Sequence, residues 1–211
     1  MGVFFGVRPP LSPGPVGGDD FSGGIGEWTT AVSDADAVVD WYQSNSLRVS
    51  VNTGSTALED DWGRATWNYT ISGEAWDVEV GYQLLSGSGD PYHFELRMLV
   101  HGSDNQVVIM WPSNNANMRS YWYNGTVQED GYYTAKPNAY NANLRFRITK
   151  AGSIFTTWHD LGTGIWTLVK QFTIPAFASS IFDSRLQTQR SGFTNVSSKF
   201  TNFVVNTGVI S

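Results

Sequence analysis

No cysteine occurs anywhere in the chain, which excludes disulfide staples, thiolate-held metal and a thiol nucleophile, and leaves packing to hold the fold. Charged residues are sparse at 15%, and no stretch approaches the roughly 18 consecutive apolar residues of a membrane span. Histidine is nearly missing: only His93, His101 and His159 occur. Neither His-x-x-x-His nor Gly-x-Ser-x-Gly surrounds them, so a helical zinc site and a hydrolase elbow have no support. His93 and His101 share strand parity, but they lie roughly 26 Å apart along an extended chain, too far to share a metal. Helix signals are few; Ala31 to Trp41 could hold two or three turns, against its own β-branched and Asp content. The opening MGVFFGVRPPLSPGPVGG lacks the basic flank and sustained apolar run of a secretory signal, so the expectation is a protein kept inside the cell that makes it or released by lysis. The sequons at Asn68, Asn124 and Asn195 then read as chance.

What is present is a sandwich-builder's composition. The 211 residues are 41% hydrophobic and 14% aromatic with 22 Gly, enough apolar material for one large core and enough turn formers for many short strands. Net charge is −6, with 15 acids and 4 bases over residues 1–105 against 4 acids and 9 bases over 106–211. An acidic chain with no Lys/Arg cluster lacks the footprint of a nucleic-acid binder. The asymmetry either orients head-to-tail contacts between copies or cancels where the two halves interleave.

Residues 1–18 hold Pro9, Pro10, Pro13 and Pro15 among Gly14, Gly17 and Gly18, a composition for extended polyproline geometry rather than a ladder or helix. Val3, Phe4, Phe5 and Val7 at its start are too apolar for an idle linker. They point to an arm that docks on a neighbouring surface, or else to a first strand folded on its own domain.

Leu144 to Val169, LRFRITKAGSIFTTWHDLGTGIWTLV, carries the strongest pattern. Leu144, Phe146 and Ile148 alternate with Arg145, Arg147 and Thr149, the period of a half-buried strand. Lys150 to Ser153 turns the chain into a strand Ile154–Trp158; His159 to Gly164 is a loop, and Ile165–Val169 returns with Trp166 offered to the core. Further strands are expected at 47–51, 65–71, 75–85, 92–101, 106–111, 119–123, 186–189 and 200–205, punctuated by Ser86 to Pro91, Asn114-Asn115 and Asn124-Gly125. The strand, Gly-turn and Gly-x-Trp order of 144–169, with the Asp19-Asp20-Phe21 opening and Trp28, resembles the concanavalin A-like lectin/glucanase superfamily, above all its laminin-G-like members. The resemblance covers about residues 19–208. It implies an all-β fold, an antiparallel two-sheet β-sandwich (jelly roll) over 19–211, preceded by the arm at 1–18.

Glucanases of that superfamily carry acid and nucleophile on one strand as a Glu-x-Asp-x-Glu-like run. Glu74-Ala75-Trp76-Asp77-Val78-Glu79 is its nearest match, and it is broken: Asp77 and Glu79 share a face whereas Glu74 does not. If the hairpin closes symmetrically, Glu79 faces Arg97 and Leu99 and Asp77 nears His101, as surface ion pairs. No catalysis is expected. Acid clusters at Asp19-Asp20, Asp34/Asp36 and Glu59-Asp60-Asp61 lack the spacing of a dedicated calcium loop, although the resemblance makes calcium the cation to consider. Aromatics are the stronger signal: Trp111, Tyr121, Trp122, Tyr123, Tyr132, Tyr133 and Tyr140 crowd an amide-rich span, and Tyr121 and Tyr123 share a face opposite Trp122. Stacking rings with amide partners suit a sugar, a protein interface or a core. The expected ligand contacts are therefore Trp111, Tyr121, Tyr123, Tyr132 and Tyr133. The expected function is a non-catalytic structural or adhesion module on a bacteriophage particle, its arm bound to copies of itself or to other virion proteins and its sandwich to a cell-surface glycan. A stand-alone carbohydrate-binding module is the alternative, with a glycoside hydrolase behind it.

Overall fold

The computed structural model describes residues 15–24, 26–33, 35, 37–43, 45–52, 61–87, 92–112, 117–134, 143–190 and 195–211. Within them the chain forms β1 (Gly17–Asp19), β2 (Trp28–Val32), β3 (Ala37–Tyr42), β4 (Ser46–Val51), β5 (Asp61–Gly87), β6 (Tyr92–Val100), β7 (Gln106–Pro112), β8 (Asn117–Tyr123), β9 (Val127–Thr134), β10 (Leu144–Ala151), β11 (Ile154–Leu161), β12 (Thr167–Thr173), a 3₁₀ turn Pro175–Phe177, β13 (Phe182–Arg190) and β14 (Val196–Ile210). Every pairing is antiparallel, and the fold is a two-layer β-sandwich of jelly-roll type.

β5 belongs to both layers. Its first part pairs with β2 and β13, continuing through β6, β7 and β8 to β9 as the first layer. Its second part pairs with β10 and β14, continuing through β11 to β12 on one side and through β4 to β3 on the other as the second layer. The chain bends between them near Gly73, whose φ of 110° is open to glycine at little cost. The bend's carbonyls are captured: the buried Lys150 donates to the oxygens of Gly73 (3.0 Å) and Glu74 (3.2 Å), and the Gly152 amide donates to Glu74 O at 2.8 Å.

Between the layers the alternating residues meet. Tyr82 stacks on Phe146 within the second layer (4.0 Å) and reaches Phe94 of the first (6.1 Å), while Trp76, Phe155 and Phe182 meet edge to face or tilted. Each such ring removed from water is worth about 1.5–3 kcal/mol. Leu144, Phe146 and Ile148 are fully buried as their alternation predicts.

Several expectations are corrected. Ala31 to Trp41 is not helical; β2 and β3 occupy most of it, because Thr29, Thr30, Val32, Val38 and Val39 favour extended backbone. The strands expected at 65–71 and 75–85 are one continuous β5, and β9 was not foreseen. His159 is in β11 rather than a loop, and Trp166 precedes β12 and is half-buried instead of entering the core. At the N-terminus, Val3, Phe4, Phe5 and Val7 lie outside the described residues. The chain joins the sandwich before residue 19: Val16 N–H donates to Val205 O at 2.8 Å, and Gly17 and Gly18 pair with β14. The charge asymmetry is cancelled by interleaving, since acids of the first half meet bases of the second as Asp61–Arg190, Asp77–Arg147 and Glu79–Arg145.

Candidate functional site

β5, β10 and β11 lie side by side in the second layer, and their alternation sends Asp77, Glu79 and Gly81, then Arg145 and Arg147, then Trp158 and Asp160 to the face away from the core. Asp160 is the anchor. Its Oδ1 accepts the amides of Gly162 (2.9 Å), Thr163 (2.8 Å) and Gly164 (3.1 Å), and its Oδ2 accepts Arg145 Nη2 (2.8 Å) and Nε (3.2 Å). Burial works against its ionisation, but the Arg145 guanidinium and the Thr163 and Gly164 amides outweigh burial and hold the carboxyl below the ordinary range.

The loop so fixed delivers Trp166, whose ring centroid lies 4.6 Å from the Arg145 guanidinium carbon and 5.5 Å from that of Arg147. Arg145 is also part of the lining of a cleft of ≈ 520 Å³, together with Glu79, Asn143, Thr163, Thr201 and Asn202, among others. Gly81 forms part of it, where a Cβ would run into Thr201 Oγ1 and come within 3.2 Å of the Thr201 carbonyl oxygen. Only glycine leaves that wall flat. Glu79 stands 3.8 Å from Arg145 Nη1. Burial pushes its carboxyl above the ordinary range, opposed by Arg145 and assisted by Asp77.

The carboxylates of the broken glucanase-like run are accounted for, with partners other than those expected. β13 lies between β5 and β6, so Asp77 and Glu79 meet β10 arginines, while Arg97 pairs with Glu95 and His101 Nδ1 with Asp183 (2.9 Å). Asp77 is locked in a buried two-point ion pair with Arg147. Glu74 is exposed at the bend, with its backbone carbonyl in use. Of the acids considered for calcium, Asp19 accepts Phe21 N–H (2.6 Å) and Trp28 Nε1 (2.7 Å), and Asp61 pairs with Arg190. Asp34, Asp36, Glu59 and Asp60 lie outside the described residues. Among the described residues no group of three His, Asp or Glu is placed to hold a metal.

The aromatic span divides. Trp111 is 3% exposed and stacks on Phe94 at 5.6 Å, inside the core, so it presents nothing to a ligand. Trp122 also points inward, meeting Phe177 edge to face. Tyr121 and Tyr132 do come together on the outer face of the first layer. They flank the Arg119 guanidinium at 4.9 and 5.9 Å, and Asp130 holds that guanidinium at 2.9 and 2.7 Å. Tyr132 is 54% exposed, and Tyr123 is half-buried near the strand end. Of Tyr133 only the strand position is described, opposite Met118. The cleft has no local trace in the sequence, because its lining comes from separate strands; the Asp160-x-Gly162-x-Gly164 loop is the one signal that points to it.

No protein-family model and no curated protein matches the chain. Solved structures do share its fold. The carbohydrate-binding module CBM66 from Bacillus subtilis aligns at a TM-score of 0.56 with 13% identity, covering 87% of this chain and 97% of that one. A Bacillus licheniformis β-glucanase aligns at 0.64 with 11% identity over 92% and 98%, and the laminarinase from Flavobacterium sp. UMI-01 at 0.66 with 10% identity over 90% and 98%. At such identities the likeness is one of fold alone, an antiparallel β-sandwich of jelly-roll type.

Proposed function

We propose that the protein is a non-catalytic glycan-binding module whose ligand lies along the β5/β10/β11 cleft with a sugar ring against Trp166. The observation that carries this reading is Arg145, which carries the half-buried Trp166 indole on its guanidinium and also lines a cleft edged by amide and hydroxyl side chains. A pyranose needs that combination, an apolar platform for its C–H face and donors and acceptors for its rim. The fold shared with a carbohydrate-binding module and with glucanases supports it as analogy.

Hydrolysis is disfavoured by the state of the carboxylates. Glycosidases typically work with two, placed across the scissile bond. Among the described residues two carboxylates line this cleft: Asp160 has its oxygens committed to the loop and Arg145, which leaves Glu79, while Asp77 on the same strand face is committed to Arg147. The raised affinity of Glu79 for its proton is what a general acid uses, so a hydrolase is the second reading.

Titration against a panel of neutral β-glucans and oligosaccharides tests the site. Trp166→Ala should weaken binding about tenfold or more, the typical scale of a buried aromatic anchor, and Tyr132→Ala should leave it unchanged. Loss with Tyr121→Ala or Tyr132→Ala and not with Trp166→Ala would move the site to the tyrosine face.

For the setting, the same proposal retains a bacteriophage particle, with Val3, Phe4, Phe5 and Val7 docking on a second copy or another virion protein. Its support is the apolar, proline-rich composition of residues 1–18. Finding the chain in purified particles, and losing it on deletion of that segment, is the check.

A further inference from the structure

On the outer face of the first layer three arginines from three adjacent strands converge. Arg185 on β13 is the direct cross-strand partner of Arg97 on β6. On the other edge of β13, Arg64 of β5 sits opposite Gln187, diagonal to Arg185 and on the same face. Like charges directly opposite each other destabilise a sheet, so the cluster costs the fold something unless a counter-charge arrives.

The protein supplies only part of that counter-charge. Arg97 is neutralised by Glu95, itself 1% exposed, and its Nη1 also donates to Gln106 Oε1 at 3.3 Å. Arg185 has the Thr66 hydroxyl at 3.3 Å from Nε, and Arg64 lies over the Trp62 ring at 4.2 Å. Among the described residues neither Arg64 nor Arg185 has a carboxylate within ion-pair distance. Asp183 is engaged by His101, and Asp104 and Asp183 attract the cluster only from further off. Burial, and then repulsion from Arg64 and Arg97, brings Arg185 down to about 10; burial and then Arg97 lower Arg64.

We propose that Arg64 and Arg185, backed by the Glu95-held Arg97, form a binding site for the sulfate or carboxylate group of an acidic polysaccharide. Planar guanidinium forks match both oxyanions. Two uncompensated arginines suit one such group and fall short of the several phosphate contacts that nucleic-acid affinity requires, on a chain whose net charge is −6. The anion site stands independently of the neutral cleft; only the polysaccharide carrier rests on the glycan-binding reading.

Thermal unfolding with sodium sulfate or sodium glucuronate, against sodium chloride at matched ionic strength, tests the anion site. The unmodified chain should gain about 3 °C with the preferred anion at ten times its Kd. Arg185→Gln and Arg64→Gln should each abolish that gain while leaving the anion-free Tm equal or higher, because repulsion is relieved; Arg185→Lys should retain part of it. No anion-specific gain, or a gain that survives both glutamine variants, overturns the site. Binding to dextran sulfate, polygalacturonate and single-stranded DNA then tests the carrier. Binding to either polysaccharide that is lost in Arg185→Gln supports it and tells sulfate from carboxylate. Tighter binding to DNA, or to none of the three, overturns it. Trp166→Ala serves as control, since failure of the neutral cleft would leave these responses intact.

Discussion

Arg147 of β10 grips Asp77 of β5 through both carboxylate oxygens, Nε to Oδ1 at 2.8 Å and Nη2 to Oδ2, with each side chain 9% exposed. Such a pair gives modest net stability when whole and a large penalty when halved, because the survivor is a buried charge without a partner. Arg147→Met alone should cost about 3–5 kcal/mol in urea unfolding, and Asp77→Leu with Arg147→Met markedly less than the two single changes added. Additive costs would mean the two groups do not act as a pair.

His159 faces the core from β11, and burial pushes its imidazole down to about 4, with Asp160 opposing. In the unfolded chain it titrates near 6.5. The folded state therefore binds this proton less readily than the unfolded state, and the contribution is complete above about pH 6.5 and is lost as pH falls toward 4. Up to roughly 3 kcal/mol is involved. Stability measured across that window should slope downward toward acid, and His159→Leu should flatten the slope.

Gly18 adopts φ 133°, and a Cβ there would run into the Phe203 carbonyl oxygen and lie 2.9 Å from Val204 Cα. Both obstacles are backbone. Gly18→Ala should cost about 2–3 kcal/mol by lifting β1 from β14. By the same reasoning, deletion of residues 2–14 should leave Tm within about 2 °C, whereas deletion of 2–18 removes the Val16 and β1 pairing and should lower it clearly. Equal Tm values for the two truncations would contradict the pairing.

Among the described residues Glu79 is the cleft carboxylate without a two-point partner. If the protein is a binding module, neither it nor Glu79→Gln should release reducing sugar from a broad polysaccharide panel. Release that Glu79→Gln abolishes would establish hydrolysis and make Glu79 its acid.

The central strands were legible because their patterns are strong. Leu144 to Ile148 alternate cleanly, and Gln106 to Trp111 are a dense apolar run, as a strand near the middle of a layer requires. Edge elements were less so. β9, VQEDGYYT, has too few apolar residues to announce a buried face, and β2 and β3 are short and partly exposed, so a loose helical spacing competed with their β-branched content. Residues 72–74 separate the strands expected at 65–71 and 75–85, but they are a bend within one strand, its carbonyls held by Lys150 and Gly152. Sites made from several strands leave no local trace at all: Arg64, Arg97 and Arg185 are isolated bases in the sequence, and register alone makes them neighbours. Trp111 was misplaced for the converse reason, since a tryptophan's composition context does not say which side of its strand it takes.

The bend in β5 also governs how the molecule can come apart. A single polypeptide segment serves as an internal member of both layers, with partners on either side of each half, so neither layer can slide over or peel from the other without tearing its own ladder. The sandwich therefore has no natural seam. Heat, denaturant or force should meet one cooperative barrier rather than two, and a protease able to cut near Gly73 would sever the strand that the two layers share while leaving each half paired in its own layer.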